Sequence, residues 1–259
     1  MKNMFISHKG KKFSYYLNDG FDQKRLSRSP IIFLHGWGGD ANSFAGLAHE
    51  LSDFPILTVD FWGSGKSDRV DAGWTLCDYV QPIVEIIKLQ GLESCALVGH
   101  SFGGRVSVRL ATDSSIKNRI EKLVLIDAAG IKPRFSFLRW ARVRHYKMLK
   151  FLANCAIIKK EKLNGYGSDD YKKLNSDERR VFSKIVNENL AKTMKSIEIP
   201  TLLIWGEKDR DTPLYMAKKI NTCIQGSGLI ILDGASHYSY VEKQREVALI
   251  IENFFEKGD

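Results

Sequence analysis

Six short apolar runs punctuate the chain, at residues 31–34, 56–59, 95–98, 122–126, 200–205 and 229–232. They are continuous rather than alternating and rich in Ile, Leu and Val, the pattern of strands covered on both faces in a buried parallel sheet. Between them, apolar residues recur at helical spacing over residues 43–51, 75–90 and 102–111. Strands alternating with helices predict an α/β fold, with a mostly parallel central sheet and helices on both faces. Two further strands precede this series. Residues 5–7 and 12–17 flank Gly10 and predict an N-terminal hairpin, and the polar, charged residues 18–29 predict a surface loop. Thr75 stands where it can cap the second helix. Pro82 lies inside that helix and predicts either a kink or a later start.

The strand rhythm stops between Lys132 and Lys195, where helical patterns take over. The expected organisation is one α/β core made of residues 1–132 and 196–259, interrupted by a helical insertion over residues 133–195. Charge follows the same division. The chain carries 39 Lys and Arg against 30 Asp and Glu, a formal net charge of +9. Residues 132–195 hold 17 basic and 6 acidic side chains, a local net of +11, while the remainder holds 22 basic and 24 acidic. The whole positive excess therefore belongs to the insertion. One helix-like stretch there interleaves Arg139, Arg142 and Arg144 with Leu138, Trp140 and Val143. Such a stretch is either an amphipathic helix with a solvated basic face or a surface that attracts anionic substrates or lipids. No recognised nucleic-acid-binding module accompanies the charge, so no nucleic-acid partner is expected.

At 259 residues the chain can bury a large core. Its basic beginning has too short an apolar stretch for a secretory signal, and no run approaches the roughly 20 residues that span a bilayer. Cys77, Cys95, Cys155 and Cys223 are scattered and form no metal-binding spacing. This predicts reduced, mostly buried thiols, no bound metal and a cytoplasmic location. Gly65-Lys66-Ser67 is like the tail of a phosphate-binding loop, but Asp60 occupies the position of that motif's first glycine. No nucleotide or other cofactor is expected.

The candidate chemistry sits just past the apolar runs. Gly99-His100-Ser101-Phe102-Gly103 joins the run at 95–98 to the helix at 102–111. A serine between two glycines at a strand-to-helix junction is the G-x-S-x-G nucleophile elbow. Gly99 and Gly103 leave room for a tightly turned backbone. The turn exposes the Ser101 hydroxyl, and the first N–H groups of the helix face any negative charge that builds up beside it. A neutral serine needs a base to take its proton. The runs at 200–205 and 229–232 lead into Asp209 and His237, and in an open parallel sheet such strand ends share one edge. His237 is the candidate base and Asp209 the carboxylate that orients it. Asp211, two residues further on, and Asp127, at the end of the run at 122–126, are rival acids. The N–H of Phe102 is a candidate oxyanion donor.

Five motifs in order resemble the α/β-hydrolase family over nearly the whole chain. They are the elbow, His35-Gly36-Trp37-Gly38-Gly39, the D-x-x-G-x-G-x-S turn from Asp60 to Ser67, Gly206-x-x-Asp209-x-x-x-Pro213, and Gly234-x-x-His237 followed by Glu242. Trp62 departs mildly, standing where proline is common. The resemblance implies that Ser101, Asp209 and His237 form a triad, that the Trp37 N–H joins Phe102 in the oxyanion hole, and that residues 133–195 form a lid. His35 is read as ordering the oxyanion loop and His145 as an exposed helical residue. His100, Arg105, Arg139, Trp140 and Arg142 are candidates for contact with substrate, Arg105 being equally a structural ion-pair partner. The expected activity is a serine hydrolase that cleaves a small carboxylic ester or thioester through an acyl-enzyme, on a small-molecule substrate that the lid's charge would allow to be anionic. Carbon–carbon bond cleavage is the alternative, because Gly103-Gly104-Arg105 also resembles the elbow of the menaquinone-pathway lyase that eliminates pyruvate, and meta-cleavage hydrolases share the lid. A hydrolase-fold receptor or scaffold is the non-enzymatic alternative, though it has no need of all three triad groups.

Overall fold

The computed structural model describes residues 1–21, 28–134 and 174–256, together with residues 144, 145, 148, 149 and 153. Its strands are β1 (Lys2–His8), β2 (Lys11–Leu17), β3 (Ile31–Leu34), β4 (Ile56–Asp60), β5 (Cys95–His100), β6 (Ile120–Ile126), β7 (Thr201–Gly206) and β8 (Gly228–Leu232). They form one sheet in the order β1-β2-β4-β3-β5-β6-β7-β8. β1 and β2 pair as an antiparallel hairpin and β2 runs antiparallel to β4, while every later pairing is parallel.

The described helices are α1 (Ala45–Glu50), α2 (Leu76–Leu89), α3 (Phe102–Leu110), α4 (Ser176–Val186), α5 (Ala191–Met194), α6 (Leu214–Cys223), α7 (Ser239–Glu242) and α8 (Gln244–Glu256). Strand side chains alternate between two apolar cores. Ile32 and Leu34 of β3 pack with Ile83 of α2, Val106 of α3 and Ile220 of α6. Ile31 and Phe33 pack on the other side, with Leu47 of α1 and Val247 and Ile251 of α8. Both faces of β3 are buried, which is why its sequence does not alternate. Each such side chain contributes about 1.5–3 kcal/mol by leaving water. β8 departs from that expectation. It is an edge strand, and its Ile231 is 42% exposed.

α2 begins at Leu76 and runs through Pro82, so the later start does not occur. Thr75 and Asp78 close a capping box at its first turn. Pro82 cannot donate to the carbonyl of Asp78, four residues earlier. The indole of Trp62 donates to that carbonyl instead, at 2.8 Å, which gives a physical reason for Trp62 in the turn after β4. α1 is preceded by a short 3-10 turn, Ala41–Phe44, capped by Asp40. Between β6 and β7 the chain includes α4 and α5; residues 135–143, 146–147, 150–152 and 154–173 of the predicted insertion lie outside the described residues. No described helix is long and apolar enough to cross a membrane. Cys95 and Cys223 are buried and Cys77 is exposed, and none of the three is bridged; Cys155 lies outside the described residues.

Candidate active site

The elbow is built as its glycines require. A Cβ at Gly103 would lie 1.8 Å from the carbonyl oxygen of Leu34, and one at Gly99 would lie 2.3 Å from Ser107 Oγ. β3, β5 and α3 meet too closely for any side chain there. Ser101 itself is held at φ 49°, ψ −110°, a strained backbone for a residue with a Cβ. It is locked from both sides: its N–H donates to Ile126 at 3.1 Å, and its carbonyl accepts from Ala129 at 2.9 Å.

The loops after β7 and β8 bring Asp209 and His237 to this serine. His237 Nε2 lies 3.1 Å from Ser101 Oγ, and His237 Nδ1 lies 2.9 Å from Asp209 Oδ2. A carboxylate only accepts, so the proton sits on Nδ1 and Nε2 is free to accept from the serine hydroxyl. The other carboxylate oxygen of Asp209 accepts from the backbone N–H groups of Asp211 and Thr212, at 2.8 and 2.9 Å. The Thr212 hydroxyl donates to Oδ2 at 2.6 Å. Burial alone would raise the pKa of Asp209, but the His237 and Thr212 hydrogen bonds outweigh it and hold the carboxyl below its ordinary value. Burial likewise pushes His237 down, and Asp209 outweighs it, leaving the imidazole above the usual histidine range. The loop carrying His237 is fixed by Glu242, which accepts from both the backbone N–H and the hydroxyl of Ser236.

The rival acids occupy other positions. Asp211 is exposed, and its hydrogen bond to the acid loop comes from its backbone. Asp127 is fully buried and faces Gly206 and Ser239. Asp209, Asp211 and His237 come closest to a cation-binding set among the described residues, their ligand atoms within 4.8 Å of one another. Asp209 Oδ2 and His237 Nδ1 are, however, spent on each other.

Trp37 and Phe102 lie beside Ser101 with their rings edge to face at 4.9 Å. Phe102 is the first residue of α3, so its N–H has no partner within the helix. His35 braces this region: its Nε2 accepts from the Phe61 N–H at 3.0 Å and its Nδ1 donates to Gly36 at 2.7 Å. Asp60 anchors the neighbouring turn, accepting from the N–H groups of Ala41 and Lys66 at 2.9 and 2.8 Å. His100 is buried against the base, its Nε2 donating to the His237 carbonyl at 2.8 Å. Burial, then the neighbouring His237, drive its pKa down to about 3, so it stays neutral.

A cavity of about 380 Å³ opens above Ser101. Its walls include Trp37, Phe102, Ile131, Phe182 of α4 and Met216 of α6. The two charged residues of its described lining are Arg105 and Asp211. Arg105 is 2% exposed, and its Nη atoms donate to the carbonyls of Glu188 at 2.7 Å and Val186 at 3.3 Å, so its hydrogen bonds tie α3 to the end of α4. Burial lowers its pKa to about 10. Arg134 lies exposed over the Tyr215 ring at 4.5 Å, and Arg144 and His145 are exposed. Arg139, Trp140 and Arg142 lie outside the described residues. Sequence reasoning missed Thr212, Phe182 and Met216. A hydroxyl three residues after a loop aspartate was a local signal for Thr212; the other two are set by tertiary packing alone.

The sequence profile described as "alpha/beta hydrolase fold" matches residues 29–160, and one described as "TAP-like protein" matches residues 183–259. The chain is 27% identical over 251 residues to the AB hydrolase superfamily protein YisY of Bacillus subtilis, covering 87% of this chain and 91% of that one. It is 25% identical over 266 residues to Lipase 3 of a Moraxella species, covering 92% and 79%. The fold is similar to that of an esterase from Exiguobacterium antarcticum, with a TM-score of 0.75 at 21% identity over 98% of this chain and 99% of that one. With the first profile spanning half of the chain, the chain belongs to the α/β-hydrolase fold family.

Proposed function

We propose that the protein is a serine hydrolase that cleaves a small carboxylic ester or thioester through an acyl-enzyme on Ser101. The observation that carries this reading is the unbroken hydrogen-bond chain from Ser101 Oγ through His237 to Asp209, at 3.1 and 2.9 Å. In the acylation step, Ser101 Oγ attacks the carbonyl carbon while His237 Nε2 takes its proton. Asp209 holds the imidazole in the required tautomer and stabilises the imidazolium. The backbone N–H groups of Trp37 and Phe102 receive the oxyanion. His237 then gives its proton to the departing alcohol or thiol, and water repeats the sequence to release the acid.

The apolar walls, Trp37, Phe102, Phe182 and Met216, suit a short or medium aliphatic or aromatic group on the ester. Residues 133–195 act as the lid, with α4 forming part of the cavity roof. The unbridged thiols of Cys77, Cys95 and Cys223 fit a reducing, cytoplasmic setting. The likeness to Lipase 3 supports ester chemistry.

The test is covalent labelling. A fluorophosphonate adds once, to Ser101, and Ser101→Ala abolishes both labelling and turnover of nitrophenyl esters, a loss of up to about a millionfold. Turnover of a vinylogous diketone with none of the esters or thioesters would move the reaction to carbon–carbon cleavage, and full activity in Ser101→Ala would end the reading.

A further inference from the structure

We propose that Asp127 is a positioning residue for this site, its carboxylate tying the loop that carries the acid to the loop that carries the base. The proposal rests on the serine-hydrolase reading above. Asp127 directly follows β6 and is wholly buried. One carboxylate oxygen accepts from the N–H of Gly206 at 2.8 Å, three residues before Asp209. The other accepts from the N–H and the hydroxyl of Ser239, at 3.2 and 2.6 Å, two residues after His237.

The backbone of the same segment completes the junction. The Asp127 N–H donates to Ile204 at 3.0 Å. The Thr212 hydroxyl, which donates to Asp209, lies 2.9 Å from the Asp127 carbonyl. On either side, Ile126 and Ala129 bond the backbone of Ser101. Ile126, Asp127 and Ala129 thus touch the nucleophile, the acid loop and the base loop. The conformation is a costly one, with Asp127 at φ 44°, a left-handed backbone that aspartate tolerates better than most residues.

The chemistry of the three contacts makes the charge matter. All three partners donate to the carboxylate, and an amide in its place would turn an NH2 group toward one of the N–H groups. A buried carboxylate is also an expensive way to brace a loop. Burial pushes its pKa up to about 7 against the hydrogen bonds that lower it. The ionisable groups facing it are Asp209 and His237, from the two loops it joins, and Tyr240 of α7. Its negative charge adds to the support of the His237 imidazolium.

The experiment compares Asp127→Asn and Ser239→Ala with the unmodified protein for kcat, KM, Tm, pH profile and fluorophosphonate labelling. In Asp127→Asn, kcat falls about 100-fold, the loss typical of sub-ångström to 1 Å misplacement of reacting groups. KM stays within a few-fold, and the acid limb of kcat/KM moves to lower pH because the imidazolium has lost a neighbouring negative charge. In Ser239→Ala, which keeps the carboxylate but removes one of its donors, kcat falls about tenfold and the limb stays in place. Unmodified kcat and limb in Asp127→Asn overturn the proposal. So does a loss of activity that only follows a lowered Tm with the limb unmoved. If Asp127→Asn does not fold, Ser239→Ala decides, and unmodified kcat there overturns it. Absence of labelling at Ser101 in the unmodified protein fails the serine-hydrolase reading instead, and this proposal with it; normal labelling with unaffected variants fails the positioning role alone.

Discussion

The floor of the cavity and its roof are held by different forces. On the floor, Ser101, Asp209 and His237 sit at the ends of β5, β7 and β8, and buried donors and acceptors fix each of their loops. On the roof, α4 turns Val181 and Ile185 into the core with the partner-bound Glu178, and leaves most of its length in or near solvent. Its polar ties among the described residues include the Arg105 bonds to Val186 and Glu188, the Arg109–Glu188 pair and an Arg69–Glu178 contact at 3.5 Å. Arg69 is largely exposed, and ion pairs of that kind contribute only about 0–1 kcal/mol. The proposed reacting groups are thus built into the ends of the sheet strands, whereas α4 adds Phe182 and Val186 to a cavity wall otherwise formed by loops and helices of the core. Floor variants should therefore change kcat, and roof variants should change KM and substrate choice.

The largest effect expected from breaking the floor without removing the nucleophile is at Asp209. Asp209→Asn leaves the fold intact and lowers kcat by about 10⁴-fold, because the amide can stabilise the wrong imidazole tautomer. Asp211→Asn changes kcat only a few-fold, since its side chain makes no hydrogen bond to His237. The pH profile sharpens the assignment. His237 must be neutral to accept the Ser101 proton, and its pKa is raised because Asp209 outweighs burial. The acid limb of kcat/KM therefore lies above the ordinary histidine value of about 6.5, and it moves down in Asp209→Asn. An unmoved limb, with Asp211→Asn the more damaging variant, would put the acid on the wrong residue.

The floor was more legible in the sequence than the roof, for physical reasons. Gly99 and Gly103 are forced by backbone contact, so the elbow could be recognised from five residues. The strands from Ile31 to Trp205 were legible because burial on both faces leaves few polar positions in them. β8 carries the same composition yet is an edge, and its position in the sheet depends on pairing with β7 rather than on its own residues. The later start that Pro82 suggested does not occur, because the donor that satisfies the carbonyl it leaves unpaired comes from Trp62, twenty residues earlier. Asp127 could be seen as a strand-end carboxylate but not as a junction, since its partners lie 79 and 112 residues away. The basic excess of residues 132–195 was visible, but charge alone does not tell which side chains turn toward a cavity.

Arg105 tests the fastening of the roof. Arg105→Met keeps much of the apolar stem and removes both N–H donors, leaving the carbonyls of Val186 and Glu188 without these partners. Hydrogen bonds to a charged group are worth about 1.5–3 kcal/mol each; with partial repair by water, a net loss of about 2 kcal/mol lowers Tm by roughly 4–8 °C. KM for bulky esters rises about tenfold, since α4 carries Phe182 and Val186 into the cavity, while the labelling rate of Ser101 by a small fluorophosphonate changes little. A collapse of labelling would instead mean that α3 and the nucleophile depend on the roof, which would erase the contrast between the two regions.

The smallest expected effect concerns the charge of residues 132–195. The residues from 132 to 195 carry a net +11, yet the cation in the described cavity lining, Arg105, already has its Nη atoms on backbone carbonyls. An anionic substrate would therefore gain in approach rather than in seating. Electrostatic steering raises association rates by roughly 10-fold or more and fades with salt. The screening length is about 8 Å at 0.15 M and about 3 Å at 1 M, so basic groups away from the mouth contribute only at low salt. At low ionic strength, kcat/KM for an ester with a carboxylate tail exceeds that of its methyl-capped analogue by up to about tenfold, with kcat the same for both. The advantage disappears near 1 M salt, and Arg139→Glu/Arg142→Glu reverses it at low salt. Equal kcat/KM for the two esters at every salt concentration would make the basic excess a solvated face, and would leave substrate choice to the apolar walls formed by Trp37, Phe102, Phe182 and Met216.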